Sequence, residues 1–149
     1  MTDSRVTREA VEGRTGVYIA APFIRQDEAR EKARELESIG FVVTSRWVHE
    51  DVAAAAEAAD AYQAERADID IEDIDAAQYF VLLGEHDSRT GGKHFETGYA
   101  YATGKNVMIV GRRENVFHHL PRLVFAQTWE QAKSHLGRVL EAIQDEVKP

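Results

Sequence analysis

The strongest constraint on this chain is an alternation: short apolar runs rich in β-branched and aromatic residues, each followed by a charged segment with helical spacing. The first run, residues 17–21 (Val-Tyr-Ile-Ala-Ala), is halted by Pro22 and reads as a buried strand. From residue 27 to 39, charges surround Ala29, Ala33, Leu36 and Ile39 at three- and four-residue intervals, and Gly40 supplies the stop of an amphipathic helix. Residues 41–45 (Phe-Val-Val-Thr-Ser) form a second strand. Strand, helix and strand with short connections predict a right-handed unit on a parallel sheet.

The alternation continues to the C-terminus. A run of alanines and charges over residues 52–77 is divided into helices at about 54–66 and 68–77, its alanine-rich part offering a surface to a second subunit. Residues 79–83 are the third strand, 85–93 a loop, 95–103 a helix closed by Gly104, and 106–110 the fourth strand. Pro121 ends the segment 116–120, and residues 123–125 make a fifth, short strand. Thr128 with Gln131 three residues later is a capping-box pattern that opens a last helix to about residue 143. The expected architecture is α/β and doubly wound, a flavodoxin- or Rossmann-like five-stranded parallel sheet with helices on both faces. Residues 1–16 form a polar arm and 17–149 a single domain, with no repeat and no linker.

Composition narrows the function. A net charge of −8 argues against a nucleic-acid polymer as partner, because such binding runs on lysine and arginine neutralising phosphates. The chain contains no cysteine, which excludes disulfides, thiolate catalysis and Cys-containing zinc sites. His49, His94, His118 and His119 lack a metal-ligand spacing, so neither a metal nor another cofactor is expected. There is no apolar run of membrane-spanning length and no signal-peptide core near Met1, and the expectation is a soluble, cytoplasmic protein without a membrane partner.

In a parallel sheet the loops after the strands share one edge, where ligands bind. Thr90-Gly-Gly-Lys-His-Phe-Glu-Thr-Gly-Tyr-Ala100 lies just past the third strand and places Glu96 in the opening turns of a helix at that edge. An acid there has an ordinary explanation in the helix dipole. The neighbouring loops add Tyr18, Arg25, Trp47, Asp87, Ser88, Thr90, Arg112, Asn115 and His118: acids, anion-binding donors and an aromatic able to stack on a base or simply to pack. No Gly-Lys-Ser/Thr phosphate loop is present.

Three segments in order, Val17-Tyr-Ile-Ala-Ala-Pro-Phe23, Asp70-Ile-Glu-Asp-Ile-Asp-Ala-Ala-Gln78 and Gly91-Gly-Lys-His-Phe-Glu-Thr-Gly-Tyr-Ala100 with Gly104-Lys105, resemble the nucleoside 2-deoxyribosyltransferase-like family. That family includes nucleoside deoxyribosyltransferases and (deoxy)nucleoside 5′-monophosphate N-glycosidases. The resemblance spans about residues 17–129 and implies cleavage or exchange of an N-glycosidic bond in a small nucleoside or nucleotide. It implies Glu96 as nucleophile, Asp70 as the second carboxylate near base and sugar, and Tyr18 as a hydroxyl directed at the nucleophile. Such chemistry suits a carboxylate beside an oxocarbenium-like carbon and an acid that helps the base depart. Gly91, Gly92 and Gly98, with Ala100, are expected to let ligand or backbone come close. The resemblance also implies a homo-oligomer, a dimer or larger, with residues 53–59 and the Asn115 to His118 loop as contact surfaces.

The end of the substrate is read, in the resemblance, by an Asp for a free 5′-hydroxyl or by a Ser and basic groups for a 5′-phosphate. Asp87, Ser88 and Thr90 all stand in that loop, so both subclasses remain open. Arg25, Arg89, Lys93 and the first-turn N–H groups of the helix at 95 are expected to gather as donors around this loop and tilt the expectation toward a nucleotide. A non-catalytic nucleotide-binding module on the same scaffold is the alternative. A phosphoacceptor signalling domain does not fit a first loop reading Ala21-Pro-Phe-Ile24 or a third strand ending Leu83-Gly84.

Overall fold

The computed structural model describes residues 11–51, 60–84 and 91–147. Its centre is a parallel sheet of five strands in the order β2-β1-β3-β4-β5, with β1 Gly16–Ala20, β2 Val42–Val43, β3 Tyr79–Leu83, β4 Asn106–Val110 and β5 Val124–Ala126. The inner strands β1 and β3 are apolar without a polar alternate, as expected for strands covered on both faces. β2 has only two residues because the chain turns into a 3-10 turn, Arg46–His49, shortly after it. That is shorter than the 41–45 expected from the apolar pattern.

Helices α1 (Gln26–Ser38) and α4 (Trp129–Val147) cover one face. The Trp129 indole N–H donates to Glu35, Lys133 pairs with the same Glu35, and Lys32 lies over the Trp129 ring. Helices α2 (Asp60–Ala76) and α3 (Gly92–Ala102) cover the other. The Thr128 hydroxyl accepts from Gln131 N–H, and the Gln131 side chain accepts from Gln127 N–H, so the capping pattern read in sequence is formed.

Two expectations are corrected. The helix break expected near residue 67 does not exist; Asp60–Ala76 is one continuous helix. No glycine or proline interrupts it, and charge alone does not stop a helix whose inner stripe is supported by packing. Residues 54–59 of the earlier expected helix lie outside the described residues. Helix α3 begins at Gly92 rather than 95, so Glu96 is in its second turn, away from the free N–H groups of the first.

The core is formed by β1, β3 and β4 with the inner faces of the helices, including Tyr18 stacked on Phe80 at 5.5 Å between ring centres. Close backbone approach decides two positions. A Cβ on Gly84, just past β3, would fall 2.3 Å from the Arg112 carbonyl, and one on Gly16 would sit 3.0 Å from the Ala76 carbonyl. These contacts draw the ends of β3 and β4 together and seat the end of α2 against β1. No helix among the described residues is long and apolar enough to cross a membrane.

Candidate active site

The chain leaving β1 goes to one face of the sheet, and that leaving β3 goes to the other. At the carboxyl edge where they part is a cavity of about 440 Å³. Its floor is the turn after β1, Ala21 to Phe23, with Trp47 beside it. One wall is a single stripe of α2, in which Gln63, Arg66, Ala67, Asp70 and Ile71 recur at helical spacing. The opposite wall is the start of α3, where Gly92, Lys93, Phe95 and Glu96 face inward. A Cβ on Gly92 would meet nothing within 4 Å, so this glycine leaves open space at the wall.

Glu96 and Asp70 face each other across this space as acids taken out of water. Burial pushes the Glu96 carboxyl up to about 8, and the nearby Asp70 charge pushes the same way. Burial pushes Asp70 up to about 7, assisted by Glu50 and Asp73 and opposed by Arg66 and Arg46. The Asp70 charge holds Glu96 back from ionising, so the two carboxyls titrate as linked groups.

Beneath them is Tyr18, fully buried on β1. Burial first, and then the Glu96 and Asp70 charges, raise its phenol well above the ordinary value, so it is a neutral O–H. The Tyr18 hydroxyl interacts with the Glu96 carboxylate but stops short of a well-formed hydrogen bond. Among the described residues, the Tyr18 hydroxyl and Asp70 Oδ1 are the buried side-chain atoms with no hydrogen-bond partner. Native interiors seldom leave such atoms unsatisfied, and both belong to the trio around this cavity.

The surrounding polar groups are satisfied. Trp47, 4% exposed, donates its indole N–H to Ile19 O at 2.7 Å and meets the Phe23 ring edge-on at 5.6 Å. Its position is thus set by packing, with part of the ring lining the cavity. Gln26 donates to the carbonyls of Trp47 and Glu50, fixing the loop after β2. Asp73, one turn beyond Asp70 and fully buried, accepts from Arg46 N–H at 2.9 Å and from the Arg46 guanidinium at 2.7 Å. That pairing locks α2 to the same loop.

The structure brings together Glu96, Asp70, Tyr18, Trp47 and Gly92 from among the residues singled out in sequence. Gly91 caps α3 at the rim. Arg25 binds Glu28 through two nitrogens and reaches the Leu83 and Gly84 carbonyls, so it joins the loop after β1 to the end of β3. Gly98 and Asn115 line a different cavity of about 650 Å³ on the outer side of α3, which corrects the expectation that Gly98 opens space beside Glu96. On a helix the position two residues past Glu96 points to the other side. Ala100 is buried in the core. Asp87, Ser88, Thr90 and Arg89 lie outside the described residues.

Sequence reasoning passed over Phe23, Gln63, Arg66 and Ile71 as lining residues. The signal for the last three was their spacing with Asp70 on one helical face, hidden by the break placed at residue 67.

No protein-family model and no curated protein matches this sequence. Solved structures do. A 2-deoxyribosyltransferase from Bacillus psychrosaccharolyticus, described as a biocatalyst for nucleoside synthesis, superposes with a TM-score of 0.62 at 20% identity, over 80% of this chain and 90% of that one. The CMP N-glycosidase BcmB of Clostridium botulinum superposes with a TM-score of 0.54 at 17% identity, over 82% of this chain and 98% of that one. The chain has the fold of both. The deoxyribosyltransferase-like architecture implied by the three sequence segments is therefore the architecture present, and its sheet edge is where the two acids and the tyrosine meet.

Proposed function

We propose that this protein is an enzyme that breaks the N-glycosidic bond of a (deoxy)nucleoside or its 5′-monophosphate, with Glu96 as nucleophile. One observation carries the reading: two desolvated carboxylates line one cavity at the switch point of the sheet, and a buried hydroxyl without a hydrogen-bond partner lies next to them in the core. The similarity of fold to a 2-deoxyribosyltransferase and a CMP N-glycosidase supports it.

Glu96 attacks the anomeric carbon as the C–N bond breaks, the bonding pair leaves with the base, and the base takes a proton. Positive charge developing at the sugar favours the ionised form on Glu96, and Asp70, whose burial favours its protonated form, gives its proton to the base. Tyr18 O–H donates to the Glu96 carboxylate and holds its orientation. Water, or a second base, then attacks the glycosyl ester. Its proton returns to Asp70, the sugar product leaves, and the Glu96 carboxylate is restored. The protein also self-associates, through apolar surface beside α3.

Incubation with a panel of nucleosides and 5′-monophosphates, with and without a second base, tests the function. Free base is expected, and Glu96→Gln is expected to lower its release by at least about 1,000-fold with the fold retained. Release without an acceptor identifies water as the acceptor, and release only with one identifies transfer. Binding without any release identifies a nucleotide-binding module instead, and full activity in Glu96→Gln removes the nucleophile assignment.

A further inference from the structure

Among the described residues, each cation at the glycosidic cavity is held by an acid of the chain itself. Arg66, 9% exposed on the α2 wall, bonds Glu50 at 2.6 Å and lies over Phe23, 4.4 Å from the ring centre. Lys93, 5% exposed on the α3 wall, bonds both carboxylate oxygens of Glu114 at 2.8 and 2.9 Å. Arg25, below the cavity, is held by Glu28 and by two strand-end carbonyls. Against these neutralised cations stand Asp70 and Glu96, whose carboxylates have no cationic partner among the described ion pairs.

Such a site is poor at taking up a phosphate. A phosphomonoester carries a charge of roughly −1.5 to −2 at neutral pH. To enter, it must lose water and then either displace a carboxylate from a buried ion pair or sit beside two further acids. Displacement leaves Glu50 or Glu114 buried without a partner, the costly way to break such a pair. A nucleoside with a free 5′-hydroxyl meets none of these costs. Its base can lie on the apolar part of the lining from Phe23, Ile71 and Phe95, and its hydroxyl can donate to a carboxylate.

We propose that the substrate is the uncharged nucleoside rather than its 5′-monophosphate, and that the Glu50–Arg66 and Glu114–Lys93 pairs exclude the phosphate by occupying the cations it would need. The proposal rests on the glycosidase reading for its setting, but binding preference tests it separately from catalysis. It departs from the tilt toward a nucleotide that Arg25, Arg89 and Lys93 give in sequence, where the carboxylate partners of Arg25 and Lys93 cannot be seen; Arg89 lies outside the described residues.

The experiment compares each common ribo- and deoxyribonucleoside with its own 5′-monophosphate, by kcat/KM where base is released and by calorimetric Kd where it is not. The nucleoside is expected to be favoured at least tenfold. Glu50→Gln and Glu114→Gln, each keeping the shape of the side chain while releasing the arginine or lysine from a carboxylate, are expected to narrow that ratio severalfold; a thermal melt confirms that each variant is folded. Equal or stronger use of the monophosphate by the wild-type protein overturns the proposal with the glycosidase reading intact. So does a ratio that neither folded variant moves. Preferential binding of nucleosides with no base release from any compound upholds the substrate class and sinks the glycosidase reading. Binding of neither class at millimolar concentration overturns both.

Discussion

At the scale of single residues, the site is built by withholding partners. Lys93, Arg66, Arg25 and Arg46 each have a carboxylate, whereas Glu96, Asp70 and Tyr18 are drawn out of water and left to one another. This has a consequence for stability whose sign follows from the direction of the shift. An unfolded glutamate releases its proton near pH 4.5, while Glu96 in the folded protein holds it up to about 8. Between those values the folded state binds more protons than the unfolded one, so stability falls as pH rises through the window. Asp70, raised to about 7, adds a loss in the same direction from its ordinary value near 3.8 upward. Glu96→Gln removes the first contribution. The variant should match the wild type near pH 4.5 and exceed it at pH 8.5 by on the order of 4 kcal/mol, which denaturant unfolding at the two pH values measures. A variant destabilised at both values would mean that Glu96 makes a favourable ionic contact, contrary to the burial that dominates its shift.

At the scale of elements, α2 is the part that converts sequence into site. Its inner stripe carries Arg66, Asp70, Asp73 and Ile74 in consecutive turns, and Asp73 ties it to the loop after β2 through Arg46. Removing the Asp73 carboxylate leaves Arg46 with Glu72 alone and strips its backbone N–H of an acceptor, so Asp73→Ala should cost about 2–3 kcal/mol in thermal or denaturant unfolding. A loss under about 1 kcal/mol would show that water replaces the pairing. The strands were legible because β1, β3 and β4 are runs of apolar residues bounded by Pro22, Gly84 and Gly111, a pattern that depends on neighbours in sequence alone. Helix α2 was not, because its stripe mixes acids, an arginine and alanines, and only the tertiary partners Glu50 and Arg46 explain why those charges face inward. For the same reason the grouping of Glu96, Asp70 and Tyr18 is legible only through the order of three short segments and not through any periodicity. Arg25, Gly98 and Asn115 could not be placed correctly without knowing which side of each element meets the cavity.

At the scale of the whole molecule, one face remains to be covered. Phe95 is 70% exposed, Val116 74% and Phe117 68%, unusual values for large apolar side chains, and Phe95 and Phe117 line the outer cavity that also holds Gly98, Asn115 and Leu120. Phe95 lines both this cavity and the one containing Glu96. A partner covering the patch would therefore also bear on the mouth of the site. Contiguous apolar surface of this kind marks association more often than it marks free solvent exposure. The self-association proposed above places a second copy of the chain here. Light scattering coupled to gel filtration should give a mass at least twice that of one chain for the wild-type protein and a single-chain mass for Phe117→Asp. The variant should stay folded, since Phe117 lies in a short exposed turn whose backbone is held by the Asn115 side chain. Base release should fall together with the loss of the larger species, because Phe95 would then face water on its outer side. A wild-type protein that runs as a single chain at every concentration would remove the assembly and leave the cavity complete within one copy.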